Sequence, residues 1–257
     1  MALTLGKKGK ALGFGDYLTT GVRSLFTPAF SLPIIGLGIA VSYVVKLTLG
    51  SAINSGLAST GSTDANLGAI GSGLAIAFVT GLFINVYGQV YAVMATASAK
   101  MPTIGEAANT AVSRWLNVLA TGILGGLLTV GILIAGVIVS IAGTSALGAE
   151  AGTGIVLLAS FTFVYMMLRL GQASWFAADG MGPVDALKAS WNKTLGSLWR
   201  IFGWSLGGLI VFGIIGNVLG LIAGGLGTDI GDPIKTAISL CFTYGSGAVM
   251  YRRVTSK

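Results

Sequence analysis

Two stretches of the chain, Ile123–Ala142 and Leu206–Leu226, run for about twenty residues without a single charge. At 1.5 Å rise per residue, a helix of that length matches the roughly 30 Å hydrocarbon thickness of a bilayer. A membrane-spanning β-strand would instead alternate apolar and polar residues over about ten positions, and these runs do not alternate. The sequence therefore predicts an all-α integral membrane protein. Composition agrees: of 257 residues, 54% are hydrophobic and 9% charged, where a soluble domain carries about 25%. Mean hydropathy is +0.86. Too little polar surface is present to face water all round.

A sliding window of about nineteen residues predicts six spans, near residues 30–50, 68–97, 116–142, 153–178, 200–226 and 233–251. The second and fourth exceed one bilayer thickness and are expected to tilt or protrude. The connections alternate in charge. The N-terminal arm, residues 98–115, residues 179–200 and the C-terminal tail hold Lys7, Lys8, Lys10, Arg23, Lys100, Arg114, Lys188, Lys193, Arg200, Arg252, Arg253 and Lys257, twelve of the fifteen basic residues. Residues 51–67, 143–152 and 227–232 hold no base but contain Asp64, Glu150, Asp229 and Asp232. Lys/Arg excess marks the cytoplasmic side. The expectation is a multi-pass protein of the inner or plasma membrane, both termini cytoplasmic. The basic N-terminus is not followed at once by an apolar core, so it reads as retained rather than as a cleaved signal. The basic pI follows from this topology and from anionic headgroups, and nucleic acid is not expected as a partner.

The chain reads as one membrane domain over 1–257 with a threefold pattern, the units falling at 14–97, 103–178 and 183–251. Each opens on a short amphipathic segment: Phe14–Phe26, Ile104–Leu116 and Val184–Leu198. Apolar stripes recur at steps of three and four: Phe14, Leu18, Val22 and Leu25; Ile104, Ala108, Ala111 and Trp115; Val184, Leu187, Trp191, Leu195 and Leu198. Each carries an acid near its start and a base near its end (Asp16 and Arg23, Glu106 and Arg114, Asp185 and Lys193), which suits the helix dipole. Thr103 and Glu106 form a capping-box signature. Such helices lie along a membrane surface. The even spans echo one another through Tyr87-Gly88-Gln89, Leu170-Gly171-Gln172 and Tyr244-Gly245-Ser246. The predicted architecture is a six-transmembrane-helix bundle built from three repeats, each a cytoplasmic amphipathic helix plus a transmembrane hairpin.

The phrase Ala186-Leu187-Lys188-x-Ser190-Trp191-x-x-Thr194-x-Gly196-x-Leu198-Trp199-Arg200-Ile201-Phe202-Gly203 resembles one in the membrane domain associated with glycerophosphoryl diester phosphodiesterases. It also resembles related uncharacterised six-span proteins of bacteria and archaea. The resemblance implies a six-span fold in a lipid-facing context. Those enzymes do their chemistry in a separate soluble barrel that uses histidine, and this chain has no histidine. No catalytic residue is carried across.

The lack of histidine also argues against haem, zinc or copper sites and against general acid–base catalysis near neutral pH. No cofactor, metal site or catalytic residue is expected, and the single Cys241 cannot form an intrachain disulfide. Asp179 and Asp185 do not share a helix face. Glycine doublets such as Gly71-Ser72-Gly73 and Gly13-Phe14-Gly15 follow no strand–turn–helix pattern and are not nucleotide fingerprints. Trp115, Trp175, Trp191, Trp199 and Trp204 cluster where an interfacial aromatic belt is expected.

Forty-one glycines, about 16% against a usual 7%, are the most distinctive feature. Gly122 and Gly126, Gly203 and Gly207, and Gly216, Gly220 and Gly224 stand four apart, the spacing at which helices approach closely in lipid. They are expected to pack helices within one subunit or across a subunit seam. Arg169 lies well inside the fourth span and Lys46 late in the first, Lys46 placed to snorkel outward. Arg169 either snorkels or faces inward toward Gln89, Asn85, Gln172 or a lipid phosphate. These observations point to a non-enzymatic scaffold or accessory subunit that packs against itself or a larger membrane complex and against lipids. The alternative is a small-solute or anion transporter or channel.

Overall fold

The computed structural model describes residues 13–58, 63–97, 101–224 and 228–255, and every regular element among them is a helix. In chain order these are α1 (Phe14–Leu25), α2 (Pro28–Ala58), α3 (Thr63–Ala97), α4 (Ile104–Leu147), α5 (Ala149–Leu170), α6 (Ala173–Ala178), α7 (Pro183–Thr194), α8 (Leu198–Gly224) and α9 (Thr228–Thr255). Four segments are long and apolar enough to cross a membrane: Val79–Ala97, Ile104–Ala146, Ala149–Ala178 and Leu198–Ile215. A fifth arises if α1 and the start of α2, bent by 69°, count as one. The chain is thus an all-helical protein with several membrane-spanning candidates. Lys7, Lys8, Lys10, Lys100 and Lys257 lie outside the described residues.

Helix starts follow local chemistry. An acid stands at the third helical position of each amphipathic segment. The Gly13 N–H donates to Asp16 Oδ2 at 2.7 Å. Thr103 and Glu106 close a reciprocal box, Thr103 N–H to Glu106 Oε2 at 2.8 Å and Glu106 N–H to Thr103 Oγ1 at 3.2 Å. Asp185 holds the same position in α7, after Gly182 and Pro183. Helix ends are set by breakers. Pro28 restarts the chain as α2, and Gly196, at φ +77°, separates α7 from α8.

The second amphipathic segment differs from expectation. Residues 104–116 are not a separate helix but the first turns of the 44-residue α4. No proline or left-handed glycine stands between Ile104 and Leu147 to interrupt it. The expected span over 153–178 is present as the single crossing candidate Ala149–Ala178, with a turn at Gly171 dividing it into α5 and α6.

The face that these segments bury against the protein is not their apolar stripe but a row of mostly small residues beside it. In α1 the buried residues are Tyr17, Gly21 and Ser24; in α7 they are Ala186, Ser190 and Thr194. At the start of α4 they are Ala107 and Ala111. In all three, the residue after the acid and the one four further on are buried. The larger apolar residues Ile104, Val184 and Leu195 stay exposed, the disposition of a helix lying in a lipid interface.

Two compact units make up the chain: Met1–Val112 with Ser205–Met250, and Ser113–Trp204 with Tyr251–Lys257. The first is held by aromatic rings seated on glycines. A Cβ on Gly88 of α3 would stand 2.2 Å from the Tyr244 ring of α9, and one on Gly207 of α8 2.6 Å from the Phe14 ring. Gly245 admits Ser24, whose hydroxyl donates to the Cys241 carbonyl at 2.8 Å. Pro33, inside α2, has no N–H to offer the carbonyl of Ala29. The hydroxyl of Tyr91 supplies the missing donor.

In the second unit α4 and α5 form a close hairpin. Added Cβ atoms on Gly136 and Gly143 would meet Ala159 and Ile155 at 2.3 and 2.5 Å. Ser140 Oγ donates to the Gly152 carbonyl at 2.9 Å. Gly148, at φ +94°, makes the turn.

Gly88 offers a clear test of this packing, because buried Tyr244 has nowhere to go. Gly88→Ala is expected to destabilise the protein by about 1–3 kcal/mol through overpacking. Gly81→Ala, on the same helix with nothing within 4 Å, is expected to leave stability unchanged or slightly raised. Thermal unfolding in detergent measures both.

Candidate functional site

α5 ends where Gly171 caps it, its N–H donating to the Met167 carbonyl at 2.8 Å. A Cβ on Gly171 would sit 2.7 Å from that same backbone oxygen, so the turn into α6 requires glycine. The last carbonyls of a helix lack intrahelical donors. Here the Arg169 carbonyl accepts from Ser190 Oγ at 2.6 Å and Thr194 Oγ1 at 3.4 Å. The small buried face of α7 exists to permit this approach: larger residues at 190 and 194 would hold the helix away.

The same approach covers the Arg169 side chain, which is 2% exposed. Its guanidinium carbon lies 4.1 Å from the centre of the Trp191 ring and 5.6 Å from that of Tyr165, and those two rings meet edge to face. The π-faces stabilise the charge but accept no strong hydrogen bond. Nε and Nη1 are sealed from solvent and donate to nothing among the described residues. Arg169 therefore faces inward and does not snorkel.

Phe161, Val164, Tyr165 and Leu168 of α5 and Leu198, Trp199 and Phe202 of α8 wall a groove of about 370 Å³ whose lining does not include Arg169 itself. Trp199 is 86% exposed and stands edge-on to Phe202. Tyr165 belongs both to the groove and to the arginine's surroundings. Much of the phrase that carried the family resemblance thus gathers here: Ser190, Trp191 and Thr194 around Arg169, Gly196 at the turn, and Trp199 and Phe202 on the groove wall.

A second cavity, about 210 Å³, lies between α4 and the α5–α6 turn. Gly122 and Gly126 line it with Gly171 and Ser174, and neither has anything within 4 Å of where its Cβ would stand. Gly203 is equally open, whereas Gly207 packs on Phe14. Gly216, Gly220 and Gly224 lie in α8, but their surroundings fall outside the described residues. The tightest glycine contacts of the α4–α5 hairpin are at Gly136, Gly143 and Gly152. The sequence signal was present in Gly136, Ser140 and Gly143, small residues at i, i+4 and i+7, and was missed by looking only for pairs of glycines four apart.

Of the other expected polar groups, Asn85 is exposed and Gln89 buried on α3, with Gln89 Nε2 donating to Asn85 Oδ1 at 3.1 Å. Gln172 is buried at the α5–α6 break. Lys46 is exposed. On the far side of α6, the Tyr251 hydroxyl donates to Asp179 Oδ2 at 2.6 Å and Arg114 donates to the Ala178 carbonyl. Gly180, at φ +109°, lies against the Arg114 guanidinium.

Fold and site together define a helical membrane protein with a dehydrated arginine next to an apolar groove. No family model, curated protein or solved structure matches the chain.

Trp191→Leu removes the closest π-face from a desolvated cation, and a loss of about 2 kcal/mol is expected. Trp191→Phe keeps a π-face and is expected to lose less. Unfolding in detergent ranks the two variants.

Proposed function

We propose that the chain is a non-enzymatic multi-pass membrane protein, a scaffold or accessory subunit that packs against copies of itself or a larger membrane complex. The observation that carries this reading is the bare apolar surface of α4 and α5. Almost none of the most apolar stretch of either helix is buried, and Ile123, Leu127, Ile134, Ile138, Ile141, Leu158 and Phe161 all stand exposed. Open glycines on α4 and α8 add small-residue faces at which another helix can approach closely.

The reading extends to six crossings in three repeats with both termini cytoplasmic. The shared position of Asp16, Glu106 and Asp185, and the matching buried residues after each, support it. α9 carries Asp232 and Lys235 near one end and Arg252 and Arg253 near the other. Its middle is largely buried by neighbours, and a span shielded from lipid need not be uniformly apolar.

Transport is less well supported. Thr121, Thr129, Thr144, Ser160, Thr162, Ser239 and Thr243 turn their hydroxyls back onto carbonyls of their own helices. The break at Gly171 lies near the end of Ala149–Ala178, whereas transporter helices break near the midplane.

Purified protein in mild detergent is expected to run as a species larger than the monomer. Gly131→Leu, on α4 with nothing within 4 Å of where its Cβ would stand, is expected to weaken that association roughly tenfold, a loss of about 1.4 kcal/mol, without lowering thermal stability. A lone monomer at every detergent concentration, with no cross-linked species in native membranes, would falsify the scaffold reading.

A further inference from the structure

Arginine does not lose its proton in proteins, so Arg169 is a permanent charge in a dry site. Two of its three nitrogens have no acceptor among the described residues, and the adjacent rings present their π-faces. An uncompensated buried cation is strongly destabilising. The backbone carbonyl of the same residue is already served by Ser190 and Thr194. An anion with several acceptor oxygens would accept from both side-chain donors, Nε and Nη1, at once.

The groove indicates what the anion is attached to. Phe161, Tyr165 and Leu168 lie along one face of α5 at steps of four and three, about 10 Å of helix. Arg169, four residues beyond Tyr165, stands at the end of that row. The walls carry no charged side chain, so the groove suits a hydrocarbon chain leading away from a charged head. Lys188, Lys193 and Arg200 are exposed on α7 and at the start of α8. A zwitterionic headgroup would bring its own ammonium among these bases, whereas an anionic one would not. Asp185, in the first turn of α7, is the one acid on that helix.

We propose that Arg169 and the groove form a binding site for one anionic phospholipid, with an acyl chain against Tyr165, Leu168, Trp199 and Phe202 and the phosphate reaching the Arg169 guanidinium as the part-exposed Tyr165 ring, which lies over it and lines the groove, swings aside. Charge-assisted, bidentate contact is the geometry in which arginine recognises phosphate. The inference needs the chain to be embedded in a membrane. It does not need self-association.

The test uses the full chain, delipidated in mild detergent and titrated with phosphatidylglycerol, phosphatidylcholine or inorganic phosphate. Native mass spectrometry counts bound lipid, and thermal unfolding is followed in parallel. One phosphatidylglycerol per chain is expected to bind and raise the melting temperature by several degrees. Phosphatidylcholine is expected to bind at least tenfold more weakly, and inorganic phosphate to give no shift. Arg169→Gln is expected to abolish the preference for phosphatidylglycerol, and Arg169→Lys to retain part of it. Trp199→Ala alters a side chain that is 86% exposed, and is expected to weaken binding several-fold while the lipid-free protein unfolds at its usual temperature. Equal binding of the two lipids, undiminished preference in Arg169→Gln, or an equal shift with inorganic phosphate would each overturn the proposal. Because lipid per chain is counted whatever the oligomer, a monomeric protein that retains phosphatidylglycerol sinks only the scaffold reading.

Discussion

Hydrocarbon has no water to offer a free N–H or C=O, and nearly every feature of this structure answers that constraint. A backbone that cannot be solvated must bond to itself, and helices do so segment by segment. The side chains follow suit, with serine and threonine along the apolar helices bonded to carbonyls one turn back. Where the ladder is interrupted, a side chain from another helix fills the gap. Pro33 leaves the Ala29 carbonyl to Tyr91, and the end of α5 leaves the Arg169 carbonyl to Ser190 and Thr194. These repairs are also what tie one helix to the next.

Such repairs demand proximity, which explains the glycines better than general flexibility does. Lipid is as apolar as the helices it surrounds, so association comes from close packing. Tyr244 over Gly88, Phe14 over Gly207 and Ala159 over Gly136 are the same solution used with different partners. The buried faces of α1 and α7 apply it again, pairing small residues with hydroxyls that reach a neighbouring backbone. On α7 the larger residues Val184 and Leu195 are left outside, where an interface would cover them.

Class and element type were legible from the uncharged runs, because span length and charge are first-order quantities in a bilayer. Helix starts were legible where an acid stood at the third position, as at Glu106. Two things were not. Hydropathy ranks residues by apolar mass, so it marks the lipid-facing stripe of α7 at Val184 and Leu195 but is silent on the face that docks on the protein, where contact is made by Ala186, Ser190 and Thr194. The threefold pattern also implies a break after Leu116 that α4 does not have, because the acid, the base and the stripe recur there without a proline or left-handed glycine to end the helix. Thr27-Pro28 and Gly196 break the other two segments. Arg169 was legible as an anomaly, but its surroundings were not: the sequence places Trp191 and Ser190 more than twenty residues away, and only the fold of α7 back onto α5 brings them to it.

That fold-back gives the arginine its significance. An arginine at the end of a span ordinarily extends its flexible stem toward water. Here α7 lies across the exit, and the hydroxyls that dock α7 bond to the arginine's own carbonyl. Docking α7 and burying the charge are therefore one event. The interfacial helix cannot seat itself without enclosing a cation, and the enclosed cation keeps unmet donors beside a channel of apolar rings. A purely structural anchor would be better served by a methionine or leucine at 169, which would fill the space without the desolvation cost. A charge retained at that cost, beside a groove able to hold a hydrocarbon chain, makes sense if the lipid around the protein completes the site.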